Sequence, residues 1–145
     1  MFEDFYLKVQ LLSENAKVPT RATKGDAGLD LYTPIDIQIN PNSDVLIPLD
    51  IRLEFPEGYA FIVKEKSGIA TKKKLDIGAN LVDANYRGSV HVHLFNNSNE
   101  IVSFKKGDKI AQGIIVPIWD GQPIQVREIS IETERSVGGF GSTGE

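Results

Sequence analysis

Apolar and polar residues alternate with a period of two along much of the chain, the pattern of strands that bury one face. Ile35, Ile37 and Ile39 alternate with Asp36, Gln38 and Asn40; Ile51, Leu53 and Phe55 with Arg52 and Glu54; Val90, Val92 and Leu94 with Ser89, His91 and His93. Further strands are expected over residues 6–12, 59–64, 101–104, 110–118 and 122–127. Turn signals separate them, among them Asn40-Pro41-Asn42, Pro56-Glu57-Gly58, Asn96-Asn97-Ser98-Asn99, Lys106-Gly107-Asp108 and Asp120-Gly121. Many short strands with regular turns predict an all-β sandwich, jelly roll or barrel. The best helix candidate is a turn or two over residues 67–74. Residues 110–118 read apolar on both faces, as a strand buried on both sides does.

The chain has 145 residues, 41% of them hydrophobic and 25% charged, enough for one core and one domain. No apolar run reaches the ~18 residues of a membrane span, and the acidic start Met1-Phe2-Glu3-Asp4 carries no secretory pattern. With no cysteine there is no disulfide framework and no thiolate metal site or nucleophile. That is compatible with a cytoplasmic protein and leaves a nuclear or virus-encoded one open. A net charge of −4 argues against nucleic acid as a partner, but a small phosphorylated ligand needs only a local cluster of donors.

Two stretches break the strand pattern and hold the candidate chemistry. The end of the chain, from Arg135 through Gly138-Gly139-Phe140-Gly141-Ser142-Thr143-Gly144, offers a guanidinium, two hydroxyls, glycine amides and one flat ring. That inventory suits a polyphosphate clamp with a ring stacked on a base, or else a plain mobile tail. The other stretch runs from Lys64 to Gly88. There a two-stranded finger about residues 77–88 would leave backbone groups of Ala79 and Asn80 in its mouth, with Asp83 as a general base beside it and Tyr86 as a wall; the bland alternative for Asp83 is a turn aspartate. Ser67-Gly68 after Lys66 reads either as a phosphate contact or as a helix N-cap. Gln112, the one polar side chain among residues 110–118, is either a structural amide or a ligand contact, and Asp30 is ambiguous in the same way. His91 and His93 share a strand face but lack a third metal ligand. Lys72-Lys73-Lys74 reads as a solvated face, and Trp119 as core or subunit interface.

The order of these segments is more specific than any one of them. Ala27-Gly28-Leu29-Asp30-Leu31, Lys66-Ser67-Gly68-Ile69-Ala70, Val82-Asp83-Ala84-Asn85-Tyr86-Arg87-Gly88, Gly107-Asp108-Lys109-Ile110-Ala111-Gln112 and the Gly-rich ending follow one another from Ala27 to Gly144. Together they resemble the five ordered motifs of the trimeric deoxyuridine triphosphatases (dUTPases). The resemblance implies a β jelly roll forming a homotrimer, with active sites built from several chains. It also implies hydrolysis of dUTP to dUMP and pyrophosphate with Mg²⁺, which keeps uracil out of DNA and supplies dUMP for thymidylate synthesis. Carried over by position, it makes Asp83 the base that deprotonates water, and Tyr86 the wall against deoxyribose. Ala79 and Asn80 become readers of the uracil edge, Lys66, Ser67, Gly68 and Gln112 phosphate ligands, and Asp30 a support for the metal's water shell. Arg135, Gly141, Ser142 and Thr143 would clamp the terminal phosphates while Phe140 covers the base. Residues 1–134 would then be the catalytic body and residues 135–145 an arm that closes over it. The chain departs from the family pattern with Lys66 for arginine, Asn80 and Ser136 for glycine, and Gly113 for a bulkier apolar residue. Rival readings are a dCTP deaminase of the same fold, a catalytically silent nucleotide-binding module and a plain structural β protein. None of the three accounts as well for the Asp-x-x-Tyr stretch and the tail together.

Overall fold

The alternating segments do form strands, and their buried positions converge on one core. The structure is a computed structural model and describes residues 5–141 and residue 144. The elements in chain order are β1 (Lys8–Leu11), β2 (Leu29–Tyr32), β3 (Ile37–Ile39), β4 (Ser43–Pro48), β5 (Ile51–Glu54), β6 (Tyr59–Lys64), α1 (Ser67–Lys73), β7 (Leu75–Ile77), β8 (Leu81–Asp83), β9 (His91–Asn96), β10 (Val102–Phe104) and β11 (Lys109–Pro117). They pair antiparallel into small sheets ordered β1-β5, β10-β3, β2-β11-β6-β8 and β4-β9-β7. Each sheet turns one face inward, and Ile39, Ile47, Ile51, Phe61, Leu75, Leu94 and Ile110 meet in one hydrophobic cluster. This is the expected all-β, jelly-roll architecture.

Four segments depart from the expected pattern. Residues 122–127 form no strand: Ile124 and Val126 alternate as a strand would, but both side chains face solvent. The segment over residues 77–88 is not a two-stranded finger, because β7 pairs with β9 and β8 with β6. Its two legs belong to different sheets and the loop 78–80 bridges them. Ser67 is the first residue of α1 rather than its cap; the cap is Lys66, which makes no capping side-chain bond. β11 is buried over Ile110 and Ala111 but only partly covered from Ile114 to Val116.

One departure from the family pattern has a packing explanation. A Cβ on Gly113 would stand 2.0 Å from Cζ of Phe61, whose ring is fully buried on the neighbouring strand β6. The large ring and the missing side chain are one exchange of volume. Gly113→Val should therefore overpack the core and lower stability by about 1–3 kcal/mol, read as a lower denaturation midpoint. Unchanged stability would mean that the Phe61 ring moves freely.

Beyond Pro117 the chain leaves the body. Ile118 N–H donates to the Gly58 carbonyl at 2.9 Å. Past that point, among the described residues, the hydrogen bonds join arm residues to one another, as in Thr133 to Ile131 and Gly138 to Arg135. Trp119 is 74% exposed, so it is not a core residue. Among the described residues, hydrogen bonding to the body thus stops at Ile118.

Candidate active site

Two groups of the expected site residues assemble, one about β8 and one about β11, on either side of β6. The first surrounds a cleft of ≈ 200 Å³ lined by Ala79, Asn80, Asp83 and Tyr86, with Leu46 and His91 beside them. β8 holds Asp83 at its end, opposite Ala60 of β6, and the carboxylate faces solvent. A turn follows, in which Tyr86 N–H donates to the Asp83 carbonyl at 3.1 Å. Tyr86 Oη donates to the Ser89 carbonyl at 2.8 Å, which lays the ring over the backbone of Gly88. A Cβ at Gly88 would meet Tyr86 Oη at 2.4 Å, so this position excludes every larger residue while the ring stays in place.

The loop between β7 and β8 has most of its polar groups engaged. Gly78 N–H donates to the His93 carbonyl at 2.8 Å, Ala79 N–H to His93 Nδ1 at 3.2 Å, and Val63 N–H to the Asn80 carbonyl at 2.8 Å. Among the described residues, the Ala79 carbonyl and the Asn80 N–H make no such bond. The two belong to one trans peptide and point to opposite sides of the loop, so each is left for a partner of its own. Asn80 has an ordinary negative φ, so its presence in place of glycine strains nothing.

The second group gathers on β11. Its central residue Gln112 lies opposite Asp30 of β2 on one side and Lys64 of β6 on the other. Gln112 Nε2 donates to the Glu65 carbonyl at 2.9 Å, tying β11 to the entry of α1. Gly28 leaves the room this needs, since a Cβ there would be 2.1 Å from Gln112 Oε1. Asp30 is buried, with Oδ1 bonded to Lys66 and Oδ2 3.1 Å from Lys109 Nζ. Burial pushes its carboxyl up, but the hydrogen bonds and charges of the two lysines outweigh that and hold it below the usual carboxylate value. The same pair raises Lys109, chiefly through the hydrogen bond to Asp30. Ser67 and Gly68 stand exposed at the start of α1, and nothing lies within 4 Å of where a Gly68 side chain would begin.

Asp30→Asn would leave two ammonium groups around a neutral side chain and should cost about 1–3 kcal/mol of stability at neutral pH. Because the folded carboxyl sits below its unfolded value, its contribution is complete above about pH 4 and is lost as pH falls through the folded value. Urea unfolding should thus show a gap between wild type and variant at pH 7 that narrows toward pH 3. A gap independent of pH would contradict the ion-pair account.

Asp83 itself is remote from Gln112: it pairs with Ala60 and Gln112 with Lys64, four residues further along β6, which is about 13 Å of strand. Asn80, bonded to Val63, lies nearer to the β11 group. Among the described residues the arm joins neither group within the chain. Arg135 Nε donates to the Gly138 carbonyl at 2.8 Å in a local turn, and the Phe140 ring is fully exposed. Gly141 follows it with a positive φ, and Ser136 adopts φ 49 where the family pattern has glycine. Ser142 and Thr143 lie outside the described residues.

His91 and His93 form no metal pair. His91 Nδ1 lies 3.0 Å from the Ser89 carbonyl, while His93 is engaged with Ala79 and Asp44. Among the described residues no group of three His, Cys, Asp or Glu side chains could hold a metal ion. No helix among them is long and apolar enough to cross a membrane.

These features define a class: an all-β jelly-roll domain with a small cleft beside a backbone loop, a solvent-facing carboxylate at its edge and a Gly-rich arm that, among the described residues, makes no hydrogen bond to its own body. Residues 14–144 match the dUTPase family model, and the chain belongs to that family. It is 42% identical over 139 residues to a deoxyuridine 5'-triphosphate nucleotidohydrolase of Arabidopsis thaliana, covering 96% of this chain and 83% of that one. Its fold superimposes with TM-score 0.90 on a variant dUTPase of Staphylococcus bacteriophage 80alpha with dUpNHpp, at 30% identity, covering 97% and 99% of the two chains. A dUTPase variant from phage phi11 of S. aureus, described with a structural Mg(II) ion, matches with TM-score 0.81 at 30% identity, covering 86% and 99%.

Proposed function

We propose that the protein hydrolyses dUTP to dUMP and pyrophosphate, in a homotrimer whose sites are each completed by more than one chain. The observation that carries the substrate reading is the unbonded Ala79 carbonyl on the loop that lines the cleft Asp83 borders. Uracil carries a proton on its ring nitrogen between two carbonyls, a donor for that acceptor. Cytosine has no proton there and would leave the carbonyl unpaired, a mismatch that can discriminate by ~10⁴ or more. Tyr86 closes the slot on the sugar side, where a 2′-hydroxyl would meet its ring.

The chemistry then follows from position. Asp83 accepts a proton from a water aligned on the α-phosphorus, a general-base role typically worth ~10²–10⁴-fold. Ser67, Gly68, Gln112 and Lys66 face the phosphate chain, with the Lys66 charge shared with Asp30. Arg135, Phe140, Gly141, Ser142 and Thr143 close over it as a lid. Asp30 is committed to two lysines, and among the described residues no three His, Cys, Asp or Glu side chains could cage a metal. Mg²⁺ would enter with the triphosphate, as part of the substrate. When bound it neutralises phosphate charge. The nucleotide pool of the cytoplasm is the setting that suits this reaction.

The composite site rests on distance and size. A cleft of ≈ 200 Å³ is smaller than the ~300–1,000 Å³ of complete small-molecule sites. About 13 Å along the strand separates Asp83 from Gln112 of the same chain, too far for both to serve one α-phosphate. The exposed Ile124, Ile129, Ile131 and Trp119 supply apolar surface for neighbouring copies. A panel of deoxynucleoside triphosphates assayed with Mg²⁺ and product identification tests the reaction, with dUMP and pyrophosphate from dUTP alone as the expected result. Ammonia released from dCTP would favour the deaminase instead. Light scattering should report three chains per particle, and an active monomer would overturn the shared site.

A further inference from the structure

The loop that carries the base-reading carbonyl is held by a side chain which the reaction itself does not use. His93 lies on β9, with Asp44 of β4 on one side of its ring and the loop 78–80 on the other. An amide can only donate, so the 3.2 Å contact from Ala79 N–H requires a lone pair on His93 Nδ1. The ring proton then sits on Nε2, which lies 2.7 Å from Asp44 Oδ2 and donates to it. Phe95 packs against the same ring at 4.5 Å between centroids. Gly78 passes close over both rings: a Cβ there would be 2.2 Å from His93 Nδ1 and 2.6 Å from the Phe95 ring. The histidine is thus fixed in position and tautomer, and the backbone has been brought down onto it.

We propose that His93, oriented by Asp44, is a specificity-positioning residue that sets which backbone groups of the loop face the nucleobase. By engaging the Ala79 N–H it takes that donor out of the slot and fixes the loop with the Ala79 carbonyl left for the ligand. Without that acceptor the Ala79 amide is an unpaired donor beside the slot, able to compete with the carbonyl for the base. Gly78 N–H on the His93 carbonyl and Val63 N–H on the Asn80 carbonyl, each at 2.8 Å, hold only the two ends of the loop. The inference rests on the reading of this cleft as the uracil slot.

Three measurements on the full-length assembly test it. His93→Val keeps a strand-forming side chain but removes the acceptor, whereas His93→Asn places an amide oxygen near the position of Nδ1. For dUTP, His93→Val should raise KM about five- to tenfold, the scale of one lost hydrogen bond, with kcat nearly unchanged. His93→Asn should recover most of that loss. In the wild type, ¹⁵N NMR of the imidazole should show a protonated Nε2 and an unprotonated, hydrogen-bonded Nδ1, a readout that does not depend on any variant folding. An unchanged KM in His93→Val, an Asn variant no better than Val, a kcat that falls in step with the KM rise, or the opposite tautomer would each overturn the role of His93. Titration of the wild type with dUMP separates this from the reading beneath it. If the Ala79 and Asn80 amide signals do not move, the base binds elsewhere and the uracil-slot reading fails; if they move while His93→Val binds normally, only the positioning role fails.

Discussion

Asp83→Asn should lower kcat for dUTP by about 10²–10⁴-fold while leaving substrate affinity and thermal stability close to those of the wild type. The side chain lies at the exposed end of β8, and the local turn is closed by its backbone carbonyl, which accepts from Tyr86 N–H. Asparagine keeps the shape and that backbone bond and loses only the ability to take a proton from water. The core residue of the same strand, Val82, points the other way and is untouched. Steady-state rates with calorimetric binding of a non-hydrolysable analogue separate the two effects. A variant that keeps more than about a tenth of wild-type kcat has not lost a general base, and the assignment of Asp83 would be wrong.

Much of this arrangement was legible in the chain, and the parts that were not share a physical cause. Ile51–Glu54 and His91–Asn96 follow from alternation because their inward residues meet the core of their own chain. β4 escaped notice because its outward face carries Leu46 next to Asp44, so the apolar pattern blurs where the strand borders the cleft. β2 hides for a related reason: Asp30 points inward to Lys66 and Lys109, a buried pair that hydropathy counts as exposed. Over residues 122–127 the opposite error arises, since the alternation is real but nothing in the same chain covers it. The supposed finger over residues 77–88 shows the limit of local pattern, which marks two extended legs without naming their partners. The motif did bring Ala79, Asn80, Asp83 and Tyr86 to one cleft, as their spacing implied. His93 was passed over because two histidines on a strand face without a third ligand read as merely packed or solvated. The signal that could have found it is Gly78, a residue without a side chain placed where a close neighbour needs the room.

The arm should prove dispensable for folding and necessary for turnover. Ending the chain after Glu134 removes Arg135, Phe140 and the terminal glycines, which form no hydrogen bond to the body among the described residues. Assembly and the unfolding midpoint should hardly change. The rate should fall by about 10²-fold or more, because a lid of this kind both excludes water and aligns the triphosphate, terms realised only when it closes. Phe140→Ala alone should cost about 1–3 kcal/mol if the ring stacks on the base. A deeper cut after Ile118 separates the two parts of the arm, since it also removes Ile124, Ile129 and Ile131, whose exposed side chains have nothing to cover them except another copy. That truncation should lose the trimer as well as the activity. Mixing decides whether the arm acts on its own chain. Asp83→Asn subunits retain the arm, and chains ending at Glu134 retain Asp83, so unfolding and reassembling the two inactive proteins together should restore part of the rate if each site draws these elements from different copies. No recovery in mixed trimers would place both in one chain, while a truncated enzyme at full rate would remove the arm from catalysis altogether.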